Sequence, residues 1–177
     1  HASWRREMPT QGLVDLAFLM GPVLGPDITN EEICSFQSRW LAASSLDLPQ
    51  RVLTLHDLIA YPLLAYSRNS VPYQALMAML RAADIDRDQI RLYVTNSIAA
   101  NTRLVSDGIG ISMLPPVVMQ EQIERGLVRC LDVDVTMPQL KFHAVYRNQP
   151  DMTLARTMAA MGAQIARAYM AEIDKKF

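Results

Sequence analysis

The sequence predicts an α/β fold built on a mainly parallel sheet. Three observations predict it: short apolar runs alternate with stretches of helical period, Gly, Pro, Asn and Asp punctuate the joins, and half of the 177 residues are apolar, enough for a proper core. Strands that recur with helices between them need crossover connections, which is what makes neighbouring strands parallel.

The elements follow in order. Residues 14–20 read as a strand, broken by Gly21, Pro22, Gly25, Pro26 and Asp27 into a loop. Residues 35–43 read as one long strand, with Phe36, Ser38, Trp40 and Ala42 on one side and Gln37, Arg39 and Leu41 on the other. Thr54-Leu55-His56-Asp57 has the form of a capping box, so a short helix runs to Ala60. Residues 62–66 form a brief strand, and Ser67 to Val71 a loop that enters a helix over 72–83 with Pro72 in its first turn. That helix carries Ala75, Leu76, Met79 and Leu80 at helical spacing. Asp84, Asp86 and Asp88 lack the Gly and closing Glu of a calcium loop and read as a solvated turn. A strand over 91–95 leads through the N-cap residues Asn96 and Ser97 into a helix over 98–107 that stops at Gly108. A buried strand over 109–114 closes at Pro115-Pro116, and a helix over 117–125 stops at Gly126. Strands over 127–131 and 140–147 precede a long amphipathic helix over 152–173, whose inner stripe reads as Leu154, Met158, Met161, Ile165, Ala168 and Tyr169.

Composition narrows the function. Seventeen Lys and Arg are offset by 18 Asp and Glu, for a net charge of −1, and are scattered. A surface that grips duplex nucleic acid needs them concentrated, so this chain does not bind DNA by itself. Cys34 and Cys130 lie far apart with no Cys-x-x-Cys, so the expectation is two reduced, packed thiols and no metal site. No apolar run approaches the roughly 20 residues of a membrane span. The polar opening, 1–11, is not a secretory leader; it lacks an initiator Met and starts mid-pattern, so a fragment whose upstream part is absent or disordered is expected. No Gly-x-Ser-x-Gly elbow is present, and Gly108-Ile109-Gly110 lacks the third glycine of a dinucleotide fingerprint and precedes a strand. An enzyme and a cofactor are therefore not expected.

Four segments carry a resemblance. Leu104 to Pro115 (LVSDGIGISMLP) resembles the "lVaaGlGiallP" segment of LysR-type transcription regulators. Gly12 to Phe18 resembles that family's "GelDlai" strand, Leu53 to Leu64 its "vtl.dL...pli", and Gly126-Leu127-Val128 its "g.lv.l". The matches keep the family's order and spacing across nearly the whole chain. The resemblance implies an effector-binding domain with a two-lobed, type 2 periplasmic-binding-protein-like fold. Lobe one would take 1–48 and 144–177, with its first strand and helix missing, and lobe two would take 49–143. It also implies a small-molecule effector, a cytoplasmic protein, a homodimer or homotetramer, and DNA contact through a winged helix-turn-helix outside this chain. Self-association needs an apolar edge strand or helix face, and the sequence does not single one out.

Open α/β sheets bind ligands beyond the carboxyl ends of their strands, where helix N-termini favour anions. Two loops fit: Ser67-Arg68-Asn69-Ser70 and Thr95-Asn96-Ser97. Their hydroxyls, amides and backbone N–H groups suit a carboxylate or polar head, with Arg68 as charge partner. Met20 and Gly21 would line the wall of lobe one and Phe142 the second crossing, with the adjacent His143 structural. Ser and Asn are also common N-caps whatever the function. Two other functions use this architecture or composition: a solute receptor for a transporter, which needs a secretory leader upstream, and an enzyme, which needs turnover.

Overall fold

The structure is a computed structural model and describes residues 13–173. The sequence-predicted opening segment, 1–11, lies outside the described residues. The chain divides into two compact units, His1–Phe36 with Gln139–Phe177 and Gln37–Pro138. The lobes drawn from sequence change over at 48/49 and 143/144, whereas the units part at 36/37 and 138/139. The difference arises because residues 39–43 pair into the second unit's sheet, while 139–147 run as one strand in the first.

The first unit holds β1 (Leu16–Met20), β2 (Ile28–Gln37) and β8 (Gln139–Arg147) in the order β1-β8-β2. β1 and β8 are antiparallel, from Leu16 opposite Tyr146 to Met20 opposite Phe142. Most of β2 escaped the sequence reading because Asn30, Glu31 and Glu32 interrupt its apolar alternation. Cross-strand partners on β8 satisfy its acids: Tyr146 Oη donates to Glu31 at 2.5 Å, and Lys141 Nζ lies 3.1 Å from Glu32. The predicted single strand over 35–43 is broken at Ser38, so its halves belong to two sheets.

The long helix α5 (Thr153–Ile173) corrects the predicted inner stripe. Its buried residues are Ala155, Ala159, Ala163 and Ile173, whereas Leu154, Met158, Met161, Ile165, Ala168 and Tyr169 are not among them, and five of these six are large and well exposed. The buried face is displaced by one residue, about 100° around the helix. The sheet supplies the bulk here, with Tyr146 and Leu16 packed on Ala155 and Ala159. Phe18 lies so close to Gly162 that a Cβ there would sit 2.9 Å from its ring. Large groups on one layer select small ones on the other, and hydrophobicity alone does not reveal which layer carries which.

The second unit holds β3 (Arg39–Ala43), β4 (Leu63–Tyr66), β5 (Leu92–Thr95), β6 (Ile111–Leu114) and β7 (Val128–Leu131) in the order β5-β4-β6-β3-β7. β4 is parallel to β5 and β6, and β3 is antiparallel to β6 and β7. The helices are α1 (Leu55–Leu58), α2 (Val71–Ala82), α3 (Ile98–Ser106) and α4 (Gln120–Glu124). Both sheet faces are buried, which is why the strands read as continuous apolar runs. Trp40, Ala42, Leu63, Ala65 and Ile111 enter one core with Leu76 and Leu80 of α2. Leu41, Leu64 and Leu114 enter the other with Val105 of α3.

The predicted capping box is formed. Asp57 N donates to Thr54 Oγ1 at 3.3 Å, and Thr54 N donates to Asp57 Oδ2 at 2.8 Å. Arg51 grips both Asp57 oxygens at 2.9 and 2.8 Å, and these bonds hold the Asp57 carboxyl well below the usual carboxylate range. Thr54→Ala is expected to cost about 1 kcal/mol of stability by denaturant titration. A depressed folded-state pKa stabilises above the unfolded value, near 3.9 for Asp, and that stabilisation fades below it. The stability gap between wild type and Asp57→Asn should therefore stay level from pH 7 down to about pH 4 and narrow at lower pH. Thermal melts across that range check it; a gap that closes above about pH 5 would contradict the geometry.

Candidate functional site

In the second unit, β4 and β5 lie side by side in register, with Tyr66 opposite Thr95. The ladder runs one residue further, because Ser67 N donates to Thr95 O at 3.0 Å. This brings the two predicted loops together at the carboxyl ends of adjacent parallel strands. Each loop also opens a helix, α2 after Ser70 and α3 after Ser97.

The hydroxyls divide by role. Ser70 Oγ accepts from Tyr73 N at 3.2 Å and donates to Tyr66 O at 2.6 Å, so it is committed to the cap. Ser97 Oγ accepts from Ala100 N, and Thr95 Oγ1 accepts from Ser97 N, both at 3.1 Å. Their own O–H groups remain able to donate outward. The side chains of Asn69 and Asn96 are exposed and have no hydrogen-bond partner among the described residues. Arg68 Nη1 lies 3.4 Å from Tyr73 Oη, and the Arg68 carbonyl accepts from Gln74 Nε2 at 3.1 Å. Ser67 holds a φ of +38°, a conformation that costs a non-glycine residue of order 1 kcal/mol or more. The N–H groups of Ile98 and Ala99 precede the first intrahelical bond of α3, from Asn101 N to Ser97 O. The result is a set of outward donors over two helix N-termini, chemistry that suits an anion or a polar head.

The other three predicted residues lie in the first unit. Met20 pairs with Phe142 across β1 and β8, and Phe142 stacks edge-on against Phe36 with centroids 5.9 Å apart. Gly21 follows at φ +77°, open to glycine at no steric cost, and its N–H donates to Lys141 O at 2.8 Å. The structure thus gathers the ten predicted residues into two groups, seven in one unit and three in the other.

Asn101 escaped the sequence reading. It is fully buried in α3, one turn before Val105, and neither its Oδ1 nor its Nδ2 has a partner among the described residues. A buried unpaired amide is costly, and its sequence signal was a polar residue on the helix's apolar stripe. His143 is buried on β8 opposite Leu19, and its Nδ1 has no hydrogen-bond partner among the described residues. Among the described residues no cluster of three or more His, Cys, Asp or Glu is placed to hold a metal. Cys34 and Cys130 are free thiols, both pushed up chiefly by burial, which weakens them as nucleophiles. No helix of the described chain is long and apolar enough to cross a membrane.

Residues 4–166 match the family described as the LysR substrate binding domain. The chain is 32% identical over 136 residues to the HTH-type transcriptional regulator PtxR of Pseudomonas aeruginosa, a match covering 75% of this chain and 43% of that protein. The chain thus spans less than half the length of this relative. Among solved structures, the regulatory domain of CcmR from Synechocystis PCC6803, in complex with 2-PG, superposes with a TM-score of 0.74 at 15% identity, covering 91% of this chain and 77% of that one. The bromide-ion-bound regulatory domain of HypT from Salmonella typhimurium superposes with a TM-score of 0.71 at 20% identity, covering 92% and 77%. At these identities the likeness shows the fold, that of a type 2 periplasmic-binding-like regulatory domain.

Proposed function

Because the chain belongs to the LysR substrate binding domain family, we propose that it is the effector-sensing part of a DNA-binding transcription regulator. Its two units are the two lobes, and its effector is a small organic molecule with a carboxylate or comparable anionic head. The observation that carries the reading is the pair of donor-rich loops, Ser67 to Ser70 and Thr95 to Ser97, joined over two helix N-termini. The bromide ion held by the HypT domain and the 2-PG held by the CcmR domain are in keeping with this chemistry. Met20, Gly21 and Phe142, all in the first unit, are further candidate effector contacts. The protein is cytoplasmic, works as a homodimer or homotetramer and reaches DNA through a helix-turn-helix beyond this chain. It uses no cofactor and turns nothing over. A transporter's solute receptor would share the architecture, but the family match favours a regulator.

Sensing requires that effector bind two arrangements with different affinity; tight binding alone shifts nothing. A panel of small carboxylates screened by thermal shift should yield a ligand. At a hundred times its dissociation constant the ligand stabilises by about 2.7 kcal/mol. Joint substitution of Ser67, Asn69, Asn96 and Ser97 by Ala should abolish that shift while the protein still melts cooperatively. An unchanged shift in the fourfold variant removes the site. Conversion of the ligand to product would replace the regulator by an enzyme.

A further inference from the structure

We infer that a cavity in the second unit is a binding site for a small aromatic keto acid, held by Trp40 and Arg39. The cavity lies where β3 begins and β7 ends, with Trp40 opposite Leu131, and has a volume of about 300 Å³. That is the lower end of the range for small-molecule pockets. Its walls are apolar, formed by Leu131, Val133, Val135 and Met137. The last three pack against the α2-side core yet stay only half-buried, so they leave apolar surface for a ligand to cover. Gln37 Nε2 donates to Met137 O at 2.8 Å, which pins one wall.

Two unpartnered groups on this cavity set the ligand's chemistry. Trp40 lines it at 1% exposure, and its indole N–H has no acceptor among the described residues. A buried donor left unpaired is costly, and a carbonyl oxygen brought in beside the ring removes that cost. Arg39 lines the same cavity, is exposed, and makes no hydrogen bond or ion pair among the described residues. Its forked guanidinium suits one carboxylate. Asp132, also exposed on the lip, repels a second carboxylate, so the ligand is a monoacid. An aromatic body gains most from these walls, through the face or edge of the indole and the Met137 sulfur. Water alone would answer the N–H but leave the apolar walls wet. None of these residues belongs to the donor loops: in the strand order the cavity sits at β3 and β7, the loops at β4 and β5. The inference therefore stands or falls apart from the effector reading.

The chain holds two tryptophans, so a proton–nitrogen NMR spectrum shows two indole N–H peaks, and Trp4→Phe assigns the one from Trp40. Titration with phenylpyruvate should move the Trp40 peak saturably. Hydrocinnamate, the same acid without the ketone, should leave that peak in place. Arg39→Gln should weaken phenylpyruvate binding about tenfold, the loss of one charge-assisted pair at an open lip. Joint substitution of Ser67, Asn69, Asn96 and Ser97 by Ala should leave phenylpyruvate binding as in wild type. A carboxylate whose binding survives that fourfold change but weakens in Arg39→Gln belongs to the cavity. A Trp40 peak that stays in place at millimolar phenylpyruvate, or binding that Arg39→Gln leaves unchanged, overturns the inference. Loss of binding in the fourfold variant also overturns it, by assigning the acid to the loops.

Discussion

Gly110→Ala is expected to cost the second unit about 3 kcal/mol or more, the upper end of what a forced methyl does in a packed interior. A Cβ at this position would stand 2.3 Å from Pro62 O and 3.1 Å from Leu64 Cγ. The first contact is with backbone, so no side chain can turn aside. The same carbonyl accepts the Ile111 N–H at 2.9 Å, part of the pairing that joins β6 to β4. Any relief must move two central strands apart. Gly108→Ala is the matched comparison: its neighbours are 3.6 and 3.8 Å away, and only its φ of +71° resists a side chain. That conformation costs about 1–2 kcal/mol. Denaturant titration followed by circular dichroism should rank Gly110→Ala well below Gly108→Ala. An equal or smaller loss at Gly110 would contradict the strand register.

Trp40→Ala should be comparably damaging, at about 3–5 kcal/mol. Trp40 is 1% exposed and sits on β3 between Leu131 of β7 and Met113 of β6, at the centre of the α2-side core. Trp40→Phe separates the contributions of volume and polarity. The indole N–H is buried without an acceptor among the described residues, so removing it relieves a desolvation cost of about 1–3 kcal/mol and offsets part of the lost packing. The Phe variant should therefore lose under about half of what Ala loses. A Phe variant as unstable as Ala would mean that the N–H has found a partner.

The candidate site was legible to the extent that it is local chemistry. Ser70 and Ser97 cap the helices they were expected to open, and Thr54 and Asp57 form the box their spacing announced. These interactions reach three residues along the chain, so a window of sequence contains them whole. Asn101 was not legible, because its cost comes from burial and missing partners, which no neighbour in sequence reports. Strand β2 was hidden for a related reason: its acids look like loop residues until Tyr146 and Lys141 arrive from more than a hundred positions away.

By itself, then, the sequence determined the family, the alternation of strands and helices, the caps, and the residue types of the two donor loops, all written in short-range spacing. Only the tertiary structure decided that Ser67 lies beside Thr95, that the unit boundary falls at 36/37, and that α5 turns Ala155, Ala159 and Ala163 inward and Leu154, Met158, Met161 and Ile165 outward. The reason is steric: a helix settles on the face whose volume complements the sheet beneath it, and the volume offered by Phe18 and Tyr146 is known only once the strands that carry them are paired.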